Sequence, residues 1–201
     1  PNGVAHWLLN ERLLDKMRES GCYRLTFGIE SGCEETRKFI KKKVPLSQAT
    51  RMIQHANKIG LWTICTFILG FPYETKEHMR ESIRYSIESG TDMGVFYALM
   101  PHPTSDVYPI FKAEGLLDLD SIMDPTTIKG IDDFAKIGET LSQRGAKTKY
   151  CSSEEIEEML SEAYHDFFHA RVRSYILNPL QIARKIRSFE DLLYTIKIGR
   201  A

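Results

Sequence analysis

The sequence has no apolar run approaching the ~20 residues that a membrane-spanning helix needs. It also has no excess of charge, because 27 basic and 27 acidic side chains balance among its 201 residues. The first lack predicts a protein without a membrane segment, and the second argues against a surface built to hold nucleic acid phosphates. The opening PNGVAHWLLNERLL has neither an initiating methionine nor the basic head of a secretion signal. We therefore expect a piece of a longer, cytoplasmic protein.

Clustered cysteines are missing as well. The four that occur stand far apart in the chain: Cys22, Cys33, Cys65 and Cys151. Because a metal knuckle needs ligands at close spacing, these residues are predicted to be buried, reduced thiols, and no metal ligand is assigned. His165 and His169 lie one helical turn apart, which can suit zinc, but both fall opposite the apolar stripe of their helix and are interpreted as a solvated or partner-facing pair.

The residues that are present repeat one pattern through the first half. A helix, a glycine and a strand recur roughly every 30 to 40 residues, as in the βα units of a parallel sheet. The helix caps are predicted at Asn10, Ser47 and Thr75, and the closing glycines at Gly21, Gly60 and Gly90. The middle strand, LWTICTFILGFP, lacks polar alternation, which suits a strand covered on both faces. Right-handed crossovers should stack the helices on one side of the sheet.

The second half has a different organisation. The boundaries that we predict are 1–118 for the βα part, 119–150 for an irregular loop and 151–201 for a helical extension. Ser152 and Glu155 form a capping box before a long amphipathic helix, which Asn178 and Pro179 should break. A further helix is predicted to begin at Ser188, with an apolar face made by Leu192, Leu193 and Ile196.

Three loops follow the three strands: GIESG, GFPYET and MPHPTS. In parallel βα folds these loops share the edge at which ligands bind. Glu30 and Ser31 could hold hydroxyls or an amine there, or could only cap the next helix. FILGFP offers an apolar wall, and Gly70 offers a bare backbone. Both suit a flat aromatic ring, although Glu74 could instead serve only the first turn of its helix.

Taken together, GCYRLTFGIESG, GLWTICTFILGFPYET and FYALMPHPTSDVY resemble the later half of the radical S-adenosylmethionine (SAM) enzymes, across residues 1 to about 118. The segment SSEEIEEMLSEAYHDFFHARVRSY is similar to the helical extension of the cobalamin-associated branch. The resemblance implies a partial (βα) TIM-like barrel that holds SAM and a 4Fe-4S cluster. In that family, reductive cleavage of SAM gives methionine and a 5′-deoxyadenosyl radical, and the protein positions the cofactor.

The resemblance also assigns cofactor-binding residues and no catalytic ones. Glu30 and Ser31 match the polar strand end near the ribose and methionyl part of SAM. The adenine would lie against Ile68, Gly70, Met100 and Pro101. The match to the family's GxIxGxxE strand is imperfect, since Thr66 replaces its first glycine and Glu74 comes one place late.

The cluster-binding CxxxCxxC triplet of the family does not occur in this sequence. Because cluster assembly needs ordered thiolates, we expect a C-terminal fragment that is inactive alone. The full-length protein would bind the cluster and SAM, would act on a small-molecule substrate, and in the cobalamin-associated branch would also use cobalamin. An incomplete barrel leaves a sheet edge open, so the fragment is expected to self-associate through that edge.

Two other hypotheses stay open at this point. One is a conventional (βα)-barrel hydrolase or isomerase that uses Glu30 or Glu74 as a base. The other is a non-catalytic helical interaction module formed by residues 150–201. A basic stretch, KFIKKKV, could touch RNA phosphates, but a solvated helix end is the preferred interpretation.

Overall fold

The computed structural model describes residues 8–102, 104–117, 147–186 and 188–189. The elements follow one another in the order α1 (Glu11–Glu19), β1 (Arg24–Glu30), α2 (Glu34–Phe39), α3 (Leu46–Lys58), β2 (Trp62–Leu69), α4 (Lys76–Glu88), β3 (Met93–Ala98), α5 (Tyr108–Ala113), α6 (Ser153–Leu177) and α7 (Leu180–Ala183).

The described strands form one parallel sheet of three strands in the order β1-β2-β3. Leu25 pairs with Thr63 at one end of the β1–β2 ladder, and Leu69 pairs with Ala98 at the far end of the β2–β3 ladder. Each strand therefore follows its neighbour in sequence after a helical crossover, which is the arrangement of a partial (βα) barrel. The predicted fold class is confirmed.

The helices cover one face of this sheet. Side chains alternate along the strands, and every second one is buried against the helices: Leu25, Phe27, Ile29, Thr63, Cys65, Phe67, Leu69 and Phe96. The other face, which we call the open face, carries Thr26, Gly28, Ile64, Thr66, Ile68, Val95 and Tyr97, all half-buried or exposed. The prediction that β2 is covered on both faces is wrong for the described part of the chain. The continuous apolar run of β2 therefore does not indicate that a second layer of helices packs on the open face.

Most helix ends lie where capping chemistry places them. Asn10 and Thr75 accept hydrogen bonds from the backbone of Leu13 and His78, and Ser152 with Glu155 forms the complete capping box. The three predicted closing glycines adopt left-handed conformations, and Asn178 ends α6. The predicted cap at Ser47 is wrong, because α3 begins earlier, after Pro45, with no side-chain cap. Proline's fixed φ lets it open a helix without one.

The long helix α6 is part of the same core as the sheet. Its buried residues Ile156, Met159, Ala163 and Phe167 pack with the helix-facing side chains of the strands. Tyr164 also donates to Phe96 O at 3.0 Å and accepts from Phe96 N at 3.1 Å. The extension therefore packs against β3 and α4, and this packing does not favour a free-standing interaction module.

One helix of the structure was not predicted, and some predicted elements lie outside the described residues. The six-residue helix α5 is present although no periodic pattern announced it. The helix predicted from Ser188 with Leu192, Leu193 and Ile196, and nearly all of the 119–150 loop, lie outside the described residues. Within the described part, no helix is both long enough and apolar enough to cross a membrane.

Candidate functional site

Glu30 ends β1 in an unusual conformation. Its φ is 69°, in the left-handed region, and the β1–β2 register shifts between Gly28 and Glu30. Such a bulge re-aims a side chain, and backbone strain of this kind is found where the surrounding structure enforces it. The Glu30 carboxylate lies over Gly28, since a Cβ built on Gly28 would be 2.9 Å from Glu30 Oε1. Glu30 is thereby held on the open face.

Lys42 holds this carboxylate in place from the side. Its Nζ lies 3.7 Å from Glu30 Oε1 and donates to Gly28 O at 3.2 Å. Both side chains are about three-quarters buried, with 23% and 26% exposed. One lysine of KFIKKKV is thus part of the strand edge rather than of a solvated helix end.

Ser31 turns away from the open face. It is fully buried, its hydroxyl lies 3.0 Å from Ser82 Oγ, and it accepts from Cys33 N at 3.1 Å. Packing against α4 explains why the neighbouring residue is a glycine. A Cβ added to Gly32 would lie 2.6 Å from Tyr85 Cβ and 2.9 Å from Ser82 Cα of α4. In this structure the hydroxyl joins β1 to α4, and the SAM contact assigned to it stays a prediction.

The other four assigned residues lie at or after the carboxyl ends of β2 and β3, at the same edge. Ile68 lies half-buried on the open face beside Tyr97, and Gly70 adopts φ 94° directly after the strand. Met100 packs with the α5 cluster of Phe111, Leu116 and Leu117, and Pro101 is buried. The structure therefore brings the ends of all three strands to one edge. Whether these residues bind SAM stays a prediction.

Glu74 organises the turn between β2 and α4. Its side chain is 1% exposed and accepts from Gly70 N at 2.8 Å, Phe71 N at 3.1 Å and Thr36 Oγ1 at 2.9 Å. Burial is the main influence and raises the pKa of Glu74, which these hydrogen bonds partly counter. Both carboxylate oxygens are in use, so the hypothesis that Glu74 is a catalytic base is not supported. It fixes the shape of the turn that presents Gly70.

Two distant segments meet beside this turn. Thr148 Oγ1 donates to Glu74 O at 2.8 Å, and Lys149 N donates to Pro72 O at 2.9 Å. Tyr73 donates to Glu114 Oε1 at 3.2 Å, and Glu114 Oε2 lies 3.7 Å from Lys149 Nζ. The residues before and after the undescribed stretch therefore both contact the carboxyl edge of the sheet.

A 4Fe-4S cluster does not fit the described residues. Cys33, Cys65 and Cys151 are buried and Cys22 is half-buried, and all four are free thiols. Burial raises the pKa of the Cys65 thiol to about 12, which disfavours the thiolate that a cluster needs. No group of three or more histidines, cysteines or carboxylates in the described part could hold a metal ion. His165 and His169 are exposed, as predicted, with ring centroids 4.3 Å apart.

The chain is similar in sequence to known proteins. The Radical SAM superfamily matches residues 2–86. The chain is 31% identical over 183 residues to the cytidylyl-2-hydroxyethylphosphonate methyltransferase of Streptomyces wedmorensis, covering 87% of this chain and 32% of that protein. It is 30% identical over 159 residues to an uncharacterized methyltransferase of Pyrococcus horikoshii, covering 79% of this chain and 32% of that protein.

A third relative is the anaerobic magnesium-protoporphyrin IX monomethyl ester cyclase of Rubrivivax gelatinosus, 28% identical over 105 residues, which are 52% of this chain and 19% of that protein. Among solved structures, coproporphyrinogen III oxidase from Escherichia coli, described as a radical SAM enzyme, is 19% identical with a TM-score of 0.48. The match covers 70% of this chain and 30% of that one.

The three parallel strands with their helical crossovers belong to the class of (βα) barrel proteins. Within that class, the chain belongs to the radical SAM superfamily. It spans about a third or less of the length of the curated relatives that it matches.

Proposed function

We propose that this chain is the later half of the SAM-binding barrel of a radical SAM enzyme of the cobalamin-associated branch. The observation that carries the proposal is the shared edge of the sheet, where Glu30, Ile68 and Gly70 lie at the carboxyl ends of parallel strands, on or beside the open face. Two relatives named as methyltransferases support methyl transfer to a small molecule as the reaction of the whole protein.

In this proposal the chain's own residues bind and orient the adenosine. The Glu30 carboxylate, fixed by its strained backbone and by Lys42, would accept hydrogen bonds from a ribose hydroxyl. Ile68 would offer an apolar surface to the adenine, and the turn at Gly70 would present main-chain groups to the ring edge. SAM and its cluster would supply the radical chemistry. The cluster's thiolates would come from a CxxxCxxC triplet encoded upstream of residue 1.

The conventional hydrolase or isomerase has less support. Glu74 is committed to the turn, which leaves Glu30 as the only one of its two proposed bases that is not fully engaged. The chain, incubated across a pH series with generic ester and sugar phosphate substrates, should show no turnover that depends on Glu30. Turnover that Glu30→Gln abolishes would favour the hydrolase or isomerase instead.

SAM binding to this chain tests the role of the edge. Equilibrium dialysis with labelled SAM should give a saturable Kd, and Glu30→Ala should raise it about tenfold, the loss of roughly one hydrogen bond to a charged group. Gly28→Ala should raise it too, because the new methyl group displaces the Glu30 carboxylate. Glu34→Ala is the matched control, since Glu34 is exposed at the start of α2. Unchanged affinity in Glu30→Ala and Gly28→Ala would contradict the assigned role.

The sheet edges bear on the proposed self-association. Tyr164 engages the backbone of Phe96 on the outer side of β3. We therefore propose β1 as the edge through which two copies of the chain would pair. Light scattering at low protein concentration should report a dimer. A compact monomer at all concentrations would rule the pairing out.

A further inference from the structure

A cleft lies at the opposite edge of the sheet, where the strands begin. Its volume is about 430 Å³, and α3, α6 and α7 form its walls together with the end of α4. Gln54, Asn57, Ser174, Asn178 and Gln181 supply amides and a hydroxyl to the lining. The volume is in the range of small-molecule sites. Nothing in the proposed SAM site uses this cleft.

The charge in and around the cleft is unbalanced. The lining includes four cations, Lys58, Arg171, Arg184 and Lys185, and no carboxylate from the described part of the chain. Lys58 and Arg184 are exposed at the surface, whereas Arg171 is 8% exposed and Lys185 3% exposed. Buried cations are normally paired with an anion, because desolvation is otherwise too unfavourable.

One buried carboxylate, Asp92, forms an ion pair with Lys185 and none with Arg171. Asp92 accepts from Tyr175 Oη at 2.8 Å and from Thr63 N at 2.7 Å. Its Oδ2 also accepts from Thr63 Oγ1 at 3.0 Å, so both of its oxygens are occupied. Among the described residues, one negative charge therefore lies beside two buried positive charges, which leaves an excess of positive charge next to the cleft.

Arg171 is the buried cation that forms no ion pair with a carboxylate of the described part of the chain. Its Nη2 donates to Ile87 O at 3.3 Å, and its guanidinium lies 5.3 Å from the centre of the Phe167 ring. Nε finds no acceptor among the described residues, although it is shielded from solvent. Arginine does not lose its proton in proteins, so the guanidinium stays charged and an anion bound in the cleft would compensate it. Burial lowers the pKa of Arg171, which agrees with an incompletely compensated cation.

Close contacts between α3 and the turn after α7 hold one wall of the cleft in place. A Cβ on Gly60 would lie 2.6 Å from Arg184 O, so the end of α3 and the turn after α7 are in close contact. Lys185 Nζ also donates to Asn57 Oδ1 at 2.8 Å, which ties the same turn to α3. The cationic groups are therefore held relative to one another by backbone packing.

We propose that this cleft binds the phosphate group of a phosphorylated small molecule, with Arg171 as its buried anchor and Arg184 and Lys58 at its mouth. A planar guanidinium with several donors matches phosphate geometry, and the surrounding amides and hydroxyl suit the polar remainder of such a ligand. The volume exceeds what inorganic phosphate alone would fill, so a ligand with a polar body is expected to bind more tightly.

The test is isothermal titration of the chain with inorganic phosphate, pyrophosphate, adenosine monophosphate and acetate at fixed ionic strength. Phosphate-bearing probes should bind and acetate should not. Arg171→Met should raise the Kd for adenosine monophosphate at least tenfold. Arg184→Gln, whose side chain lies at the exposed mouth, should raise it several-fold even where Arg171→Met fails to fold.

Arg173→Gln is the matched control, because Arg173 is exposed on the same helix and does not line the cleft. Its Kd should equal that of the wild type, and saturating SAM should leave phosphate binding unchanged. The proposal is overturned if no phosphate-bearing probe binds, if acetate binds as well, if Arg173→Gln weakens binding as much as Arg184→Gln does, or if SAM displaces the probe. Because SAM binding is measured separately, failure here leaves the proposed function untouched.

Discussion

Asp92→Ala is expected to lower the free energy of unfolding by about 4 kcal/mol, since among the described residues Asp92 is the one carboxylate that lies beside the buried cations Lys185 and Arg171. The change strips an acceptor from Lys185, from Tyr175 and from the Thr63 backbone at the start of β2. Because domains of this size are stable by only about 5–15 kcal/mol, the variant should lose a large fraction of its stability and unfold at a clearly lower urea concentration. Urea denaturation measures the loss.

A second variant separates the charge from the packing. Asp92→Ala combined with Lys185→Met should lose clearly less than the sum of the two single changes, because the double variant buries one charge fewer. Asp106→Ala, at an exposed position, is the control and should change stability by no more than about 0.5 kcal/mol. Additive losses in the double variant would show that the buried pair is not energetically coupled.

Glu74→Ala should destabilise the protein by about 3 kcal/mol or more. It leaves Gly70 N, Phe71 N and Thr36 Oγ1 without their acceptor in a buried turn, and each unsatisfied buried group costs about 1–3 kcal/mol. The same change should disturb the turn and weaken SAM binding. Glu77→Ala is the control, since Glu77 lies in the first turn of the helix that follows Glu74 and its side chain is 62% exposed. Equal stability of the two variants would contradict the role given to Glu74.

Glu74→Gln adds a dependence on pH. It keeps an acceptor for the two N–H groups and lacks the charge. Burial holds the pKa of Glu74 above its usual value of 4.5, so the native state favours the protonated acid. The stability from this group is complete below the unfolded-state pKa and is lost as pH rises through the native pKa. The free energy of unfolding of the wild type, relative to Glu74→Gln, should therefore fall as pH rises above about 4.5.

Local chemistry made much of the fold predictable. The caps at Asn10, Thr75 and Ser152 act within one turn of the chain. The glycines that end helices are predictable because a single position there needs a left-handed backbone conformation. The recurrence of helix and strand then fixed the parallel order. Pro45 shows the limit of this reasoning: it opens α3 by its fixed φ, and the polar Ser47 two residues later was mistaken for the cap.

Features that depend on contacts between distant segments could not be predicted. Ser31 is polar at a strand end, yet its hydroxyl is used by Ser82, 51 residues away. Glu74 looked like an ordinary first-turn acid until Thr36 and the Gly70 backbone converged on it. Lys185 lies in the helical extension, and its partner Asp92 lies 93 residues earlier. No local pattern carries that pairing.

The central claim is that this chain supplies the adenosine-facing edge of a radical SAM barrel. Its most direct test is anaerobic reduction of the full-length protein with SAM, followed by chromatographic measurement of 5′-deoxyadenosine. The account predicts that this product accumulates, that Glu30→Ala lowers its formation at subsaturating SAM, and that Glu34→Ala leaves it unchanged. A cluster-loaded, reduced protein that returns its SAM intact would contradict the account.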